Sequence, residues 1–163
     1  MTNILFVCTG NTCRSPMAEA LFNKKNKEKG DTEKYCATSA GLAADLDSAK
    51  PSDGATSAMK KKYGIDISNH VPKQIASEDI ENADLVFCMS ASHLHYIAYF
   101  AHNSNDLKKI YTLKGYLEMA GDVADPYGGG DKVYEECADE LNELVTKVIE
   151  KLENTQNEEE QKW

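Results

Sequence analysis

The chain has 163 residues, 41% of them hydrophobic, and a formal charge of −9; this is enough for one domain that buries roughly two thirds of its unfolded surface. The acidic balance argues against nucleic acid or an anionic membrane as main partner, and no run reaches the roughly eighteen apolar residues of a membrane helix or has the flanks of a signal peptide. Five cysteines, an odd number without repeating spacing, suit a reduced cytoplasm better than a disulfide framework.

In chain order the pattern alternates strand and helix. Asn3 to Cys8 is a continuous apolar run of the kind buried on both faces of a sheet. Ser15 is placed to cap a helix and Pro16 to open it; Met17, Ala18, Leu21 and Phe22 then recur at helical spacing as far as Gly30. Tyr35 to Ala40 reads as a second strand, and Ser52 to Tyr63 as a helix stopped by Gly64. Ala83 to Met89 is a third strand, Ser92 to His102 a helix, Lys109 to Leu113 a fourth strand, and Asp131 to about Leu152 a long final helix. Strands separated by helices imply an α/β fold with a parallel sheet and right-handed crossovers. A single domain is expected over 1–153, followed by a polar tail, 154–163, that frays.

The chemistry concentrates between the first strand and the first helix, in VCTGNTCRS. It holds two cysteines and Arg14, the only arginine beside 17 lysines, so a merely basic position would have been lysine. A strand running into a glycine-bearing loop and a helix N-terminus makes an anion site, because loop amides and helix dipole point the same way. That field also stabilises a negatively charged sulfur at Cys8. Arg14 supplies a planar fork for two phosphate oxygens. Gly10 lets the backbone come close to the anion, and Asn11 tolerates left-handed geometry and can tie the loop down. The plainer alternative is a buried Cys8 with Arg14 as a surface cation. Far along the chain, Asp125-Pro126-Tyr127 precedes three glycines. From its residues alone this is first a polar turn, though a carboxyl there can also protonate a leaving group.

Taken together, these segments resemble the low-molecular-weight protein tyrosine phosphatase family. The matching pieces are CTGNTCRSPMAEA at 8–20, SAG at 39–41, GIDISNH at 64–70, ADLVFCM at 83–89 and DPYGG at 125–129. The resemblance implies a three-layer fold, a four-stranded parallel sheet flanked by helices. It implies a phosphocysteine formed on Cys8, Arg14 on the phosphoryl oxygens, and Asp125 as general acid and then base. It also implies that Thr9, Gly10, Asn11, Thr12, Cys13, Ser15 and Tyr127 surround the substrate, with Ser15 hydrogen-bonded to the thiolate. Ser39 and His70 would support the loop from behind. No metal or other cofactor is implied, and the partner is a phosphorylated protein acted on by a monomer. A cysteine beside the arginine, here Cys13, can pair with the nucleophile under oxidation and shield it.

Two departures narrow the substrate. Tyrosine-specific members resembling this chain carry a bulky aliphatic residue where it has Thr12, and commonly a second aromatic where it has Gly128. Both changes strip apolar wall from the pocket mouth, and the bacterial protein-arginine phosphatases of this fold resemble the chain better. A planar, cationic guanidinium suits Thr12 and Asp125, and its nitrogen departs poorly unless protonated. Phosphotyrosine is the alternative. An arsenate reductase of this fold would need a cysteine pair about seven apart after the third strand, but His95 stands seven residues after Cys88. A non-catalytic phosphate-binding module would be expected to lose Cys8 or Asp125. His93, His95 and His102 read as a surface helix rather than metal ligands, and Tyr96, Tyr99 and Phe100 as core or substrate-side packing.

Overall fold

In the computed structural model, residues 1–161 are described. The strands are β1 (Thr2–Cys8), β2 (Tyr35–Gly41), β3 (Leu85–Cys88) and β4 (Ile110–Thr112), and all pair in parallel in the order β2-β1-β3-β4. Strand order reverses about β1, so its carboxyl end opens at the switch point where open α/β sheets bind ligands. The period of two divides β1 cleanly: Ile4, Phe6 and Cys8 enter one core, Leu5 and Val7 the other. Cys8 therefore ends the strand facing the larger core, under α1 (Arg14–Lys29), α2 (Asp53–Tyr63) and α7 (Asp131–Glu160).

Helix α1 stops at Gly30, whose φ of 78° is left-handed and whose N–H returns to the last turn. Helix α2 is capped by the Ser52 hydroxyl, which accepts from the Ala55 N–H, and ends at a left-handed Gly64. On α7 the buried stripe Tyr134, Cys137, Ala138, Leu141, Leu144, Val145, Val148, Ile149 and Leu152 follows the helical period. The other face is covered by α3 (Ser77–Asn82), through Ile80, and by α4 (Ala91–Ile97), through Ile97. Two further short helices, α5 (Ser104–Lys108) and α6 (Leu113–Tyr116), flank β4.

Two details differ from the sequence reading. The helix expected over Ser92–His102 is broken: α4 ends at Ile97, a 3₁₀ turn spans Ala98–Phe100, and Asn103 starts α5 by accepting from the Asp106 N–H at 2.9 Å. A good cap beyond an aromatic-rich stretch outcompetes continuation of the helix. The expected frayed tail is helical to Glu160, because its Glu and Gln residues have high helix propensity and prolong an established helix. Lys162 and Trp163 lie outside the described residues.

Candidate active site

The segment from Cys8 to Ser15 is a ring of carbonyls turned outward. The Cys8 carbonyl accepts from Leu42 N–H, that of Thr9 from Ala43 N–H and that of Gly10 from Asp45 N–H. The Asn11 carbonyl faces His70 Nε2 at 3.2 Å, that of Thr12 accepts from Ser52 N–H, and that of Cys13 from Met17 N–H. Among the described residues, none of the amides of Thr9 to Cys13 donates to a protein acceptor. With each carbonyl engaged outside, these N–H groups are left for the concave side, where a tetrahedral anion can take them.

Asn11 holds this shape. Its φ is 56°, the left-handed geometry that asparagine tolerates. The fully buried side-chain amide donates to Ser15 Oγ at 2.7 Å and Ser39 Oγ at 3.0 Å. Its oxygen accepts from the Lys73 N–H at 2.9 Å and faces His70 Nε2 at 3.1 Å. Ser39 in turn donates to Glu19, and His70 Nδ1 lies 3.9 Å from the same carboxylate. Burial raises the Glu19 pKa above the usual carboxylate range, opposed by the Ser39 bond and the His70 charge. Ser39 and His70 thus both reach the Asn11 side chain.

Ser15 does not cap the helix as expected. α1 begins two residues earlier than Pro16, at Arg14, with Cys13 at the cap and no side-chain cap bond. Ser15 is recruited elsewhere: its oxygen accepts from Asn11 and lies 2.9 Å from Cys8 Sγ. Since the amide occupies a lone pair, the Ser15 proton is free to point at the sulfur. Pro16 falls in the first turn, where a missing N–H costs no helical bond.

Arg14 is only 5% exposed; its Nη1 donates to the Val123 carbonyl at 2.9 Å and its Nη2 is 3.6 Å from Asp125 Oδ2. Val123 N–H is bonded to Met89 O just past β3, which pins the start of the Asp125 loop to the sheet. Asp125 then accepts the Tyr127 N–H at 3.1 Å, and Gly129 N–H bonds to Pro126 O. Gly128 has a φ of 79°, and a Cβ built there would meet nothing within 4 Å; strain rather than space opposes a side chain. A cavity of about 250 Å³ is lined by Cys8, Thr9, Gly10, Thr12, Cys13, Arg14, Asp45, Asp125 and Tyr127. Tyr127 is 80% exposed at its edge. Segments more than a hundred residues apart in sequence therefore meet in one site.

Cys13 is buried, with its sulfur 3.1 Å from Ser52 Oγ and 3.9 Å from the Tyr134 hydroxyl. Elsewhere, burial pushes the thiols of Cys88 and Cys137 up to about 12, which leaves them protonated and inert. Among the described residues no group of three or more His, Cys, Asp or Glu could hold a metal.

Several site residues were not identified from the sequence. His93, expected on a surface helix, is buried and its Nε2 lies 2.8 Å from Thr9 Oγ1; burial first, and the Arg14 charge second, lower its pKa to about 4. His102 lies outside both neighbouring helices. Tyr96 and Tyr99 are exposed rather than core, and with Phe100, His93 and Leu42 they wall a groove of about 470 Å³ that begins at Thr9. Gly41 is required by close approach: a Cβ there would sit 2.6 Å from the Thr9 carbonyl and 3.0 Å from the Asn11 nitrogen. Glu19, four residues after Ser15 on α1, gave no signal beyond that helical spacing. Asp45 had none.

The family model for low molecular weight phosphotyrosine protein phosphatase matches residues 3–158. A protein-arginine-phosphatase of Bacillus subtilis is 40% identical over 151 residues, 92% of this chain and 96% of the relative. The crystal structure of a low molecular weight protein tyrosine phosphatase from T. tengcongensis superposes with a TM-score of 0.86 at 44% identity, covering 93% of this chain and 99% of that one. An arginine phosphatase mutant with serine in place of cysteine, its active-site serine phosphorylated, superposes with a TM-score of 0.84 at 38% identity, over 93% and 96% of the two chains. With the fold and the Cys8–Arg14 loop in place, the chain belongs to the low molecular weight phosphotyrosine protein phosphatase family.

Proposed function

We propose that this phosphatase hydrolyses phosphoarginine in proteins through a phosphocysteine on Cys8. The observation that carries the chemistry is the loop itself: its carbonyls are engaged, its amides have no protein acceptor among the described residues, and Cys8, Arg14 and Asp125 line the same cavity. The amides and the Arg14 fork hold the phosphoryl oxygens and follow their charge into the transition state. The Cys8 thiolate, steadied by Ser15, attacks phosphorus. A P–S bond forms, the P–N bond breaks, and Asp125 protonates the departing guanidine nitrogen. Water then attacks the phosphocysteine while Asp125 takes its proton, releasing phosphate and restoring the thiolate. The arginine phosphatase mutant with a phosphorylated active-site serine supports phosphoryl transfer to this loop position. No metal or cofactor takes part.

For the substrate, Thr12 gives the cavity lining a hydroxyl where a phenyl ring would need apolar wall, Gly128 adds no side chain after the lining Tyr127, and the Bacillus relative is named for phosphoarginine. The exposed Tyr127 favours the second reading, phosphotyrosine, since it offers one aromatic wall. Side-by-side kcat/KM on matched phosphoarginine and phosphotyrosine peptides separates the two. Preference for phosphoarginine is expected; a strong preference for phosphotyrosine would replace the substrate and keep the mechanism. We place the activity on phosphorylated proteins in the cytoplasm, carried by a monomer. Five free cysteines support a reducing compartment, and under oxidation Cys8 and Cys13 pair.

A further inference from the structure

The site cavity contains a carboxylate that the reaction does not use. Asp45 lies in the connection between β2 and α2 and lines the cavity with Cys8, Arg14, Asp125 and Tyr127. Its place is set by the backbone: the bonds from Leu42 N–H to Cys8 O and Ala43 N–H to Thr9 O continue with Asp45 N–H to Gly10 O at 3.1 Å. The residue is thus zipped to the same loop that would hold the phosphoryl group. The side chain is also held, since Oδ1 accepts from the Ser48 N–H at 3.2 Å and Oδ2 from the Ser48 hydroxyl. These two bonds keep the carboxyl below the usual carboxylate range, so it is charged at neutral pH.

The charges around the cavity then decide the matter. Its lining contains one cation, Arg14, and two carboxylates, Asp45 and Asp125, in a chain whose net charge is already −9. Asp125 has a task at the leaving atom. Asp45 has none, and towards a phosphate dianion on a neutral aryl group it is only repulsive. A phosphoryl group attached to a guanidinium brings its own positive charge and N–H donors to the rim, where a fixed carboxylate attracts them. We infer that Asp45 is a specificity-determining residue, selecting substrates whose phosphoryl group is bonded to a cationic guanidinium and disfavouring neutral aryl phosphates. This deepens the phosphoarginine reading and rests on it.

The test is Asp45→Asn, which keeps size and a Ser48 partner and removes the charge, with a thermal melt to establish folding. kcat/KM is measured on a phosphoarginine peptide and on para-nitrophenyl phosphate. The arginine-to-aryl ratio is expected to fall roughly fivefold, with the aryl substrate gaining, a size fitting an exposed charge at short range. The fall should shrink as salt is raised. A ratio within about twofold of the parent's overturns the inference, as does an equal loss on both substrates, the mark of a purely structural role. A second readout does not depend on turnover of phosphoarginine: inhibition constants for benzylphosphonate and its 4-guanidino derivative. Asp45→Asn should weaken only the guanidino compound. If the parent does not hydrolyse phosphoarginine, the proposed function fails by that result alone. The phosphonate pair still decides Asp45: selective weakening upholds it as a selector of cations, equal inhibition constants overturn it.

Discussion

Asn11→Ala removes the side chain around which the anion loop is built. The amide would lose its bonds to Ser15 and Ser39 and those from Lys73 N–H and His70. At about 1 kcal/mol each, these sum to about 4 kcal/mol. The left-handed backbone, φ 56°, adds about 1 kcal/mol when alanine replaces asparagine. A loss of about 5 kcal/mol is large beside the 5–15 kcal/mol typical of native domains, and for a chain of this size it lowers Tm by roughly 10–20 °C. Asn11→Gly loses the same bonds but not the backbone term, so it should be about 1 kcal/mol more stable than the alanine variant, reversing the usual order. Urea and thermal melts of the parent and both variants measure this. Turnover of an aryl phosphate below the melting range should also fall, because Ser15 is no longer aimed at Cys8. An alanine variant melting within about 3 °C of the parent, or one more stable than the glycine variant, would mean that Asn11 does not hold the loop.

Three other expectations follow from single contacts. Thr12→Ile should move preference towards phosphotyrosine by on the order of tenfold, the worth of a modest apolar contact; an unchanged ratio of kcat/KM values would remove Thr12 as a selector. Gly41→Ala places a Cβ 2.6 Å from Thr9 O, so the loop must shift, and kcat should drop on the order of tenfold or more; wild-type kcat would mean the close approach is unimportant. His93, with its pKa lowered from 6.5 to about 4, binds fewer protons folded than unfolded between those values. Stability should therefore rise with pH across that window and be lost on acidification, by at most about 3 kcal/mol. Urea midpoints at pH 7 and pH 4.5 should converge in a His93→Gln variant relative to the parent; identical pH profiles would refute a neutral, buried His93.

What could be read from the sequence was whatever chemistry and period encode locally. The apolar run into Cys8, the lone arginine six residues on and the capping residues of α2 need no partner to be recognised. Ser15 was misread as a cap because a Ser-Pro pair before an apolar stretch is a local signal, whereas its hydroxyl is claimed by Asn11 and Cys8 once the loop closes. His93 eluded the sequence reading for the same reason: its burial depends on Thr9, 84 residues away. Glu19 and Asp45 look like any surface carboxylate until the fold brings Ser39 and His70 to Glu19 and the Gly10 carbonyl to the Asp45 N–H. Gly41 sits in a quoted motif, but its steric need exists only against the folded loop. The polar tail was judged by hydropathy alone, although its composition favours a helix that α7 had already nucleated.

The most direct test of the central claim is a rapid-quench experiment with a phosphoarginine peptide, followed by mass spectrometry of the enzyme. A phosphoryl group is expected on Cys8, formed in the first turnover, longer-lived in Asp125→Asn, and absent in a Cys8→Ala variant that still binds inorganic phosphate. Release of phosphate with no phosphoryl group on Cys8 at any quench time, in the parent or in Asp125→Asn, would contradict it.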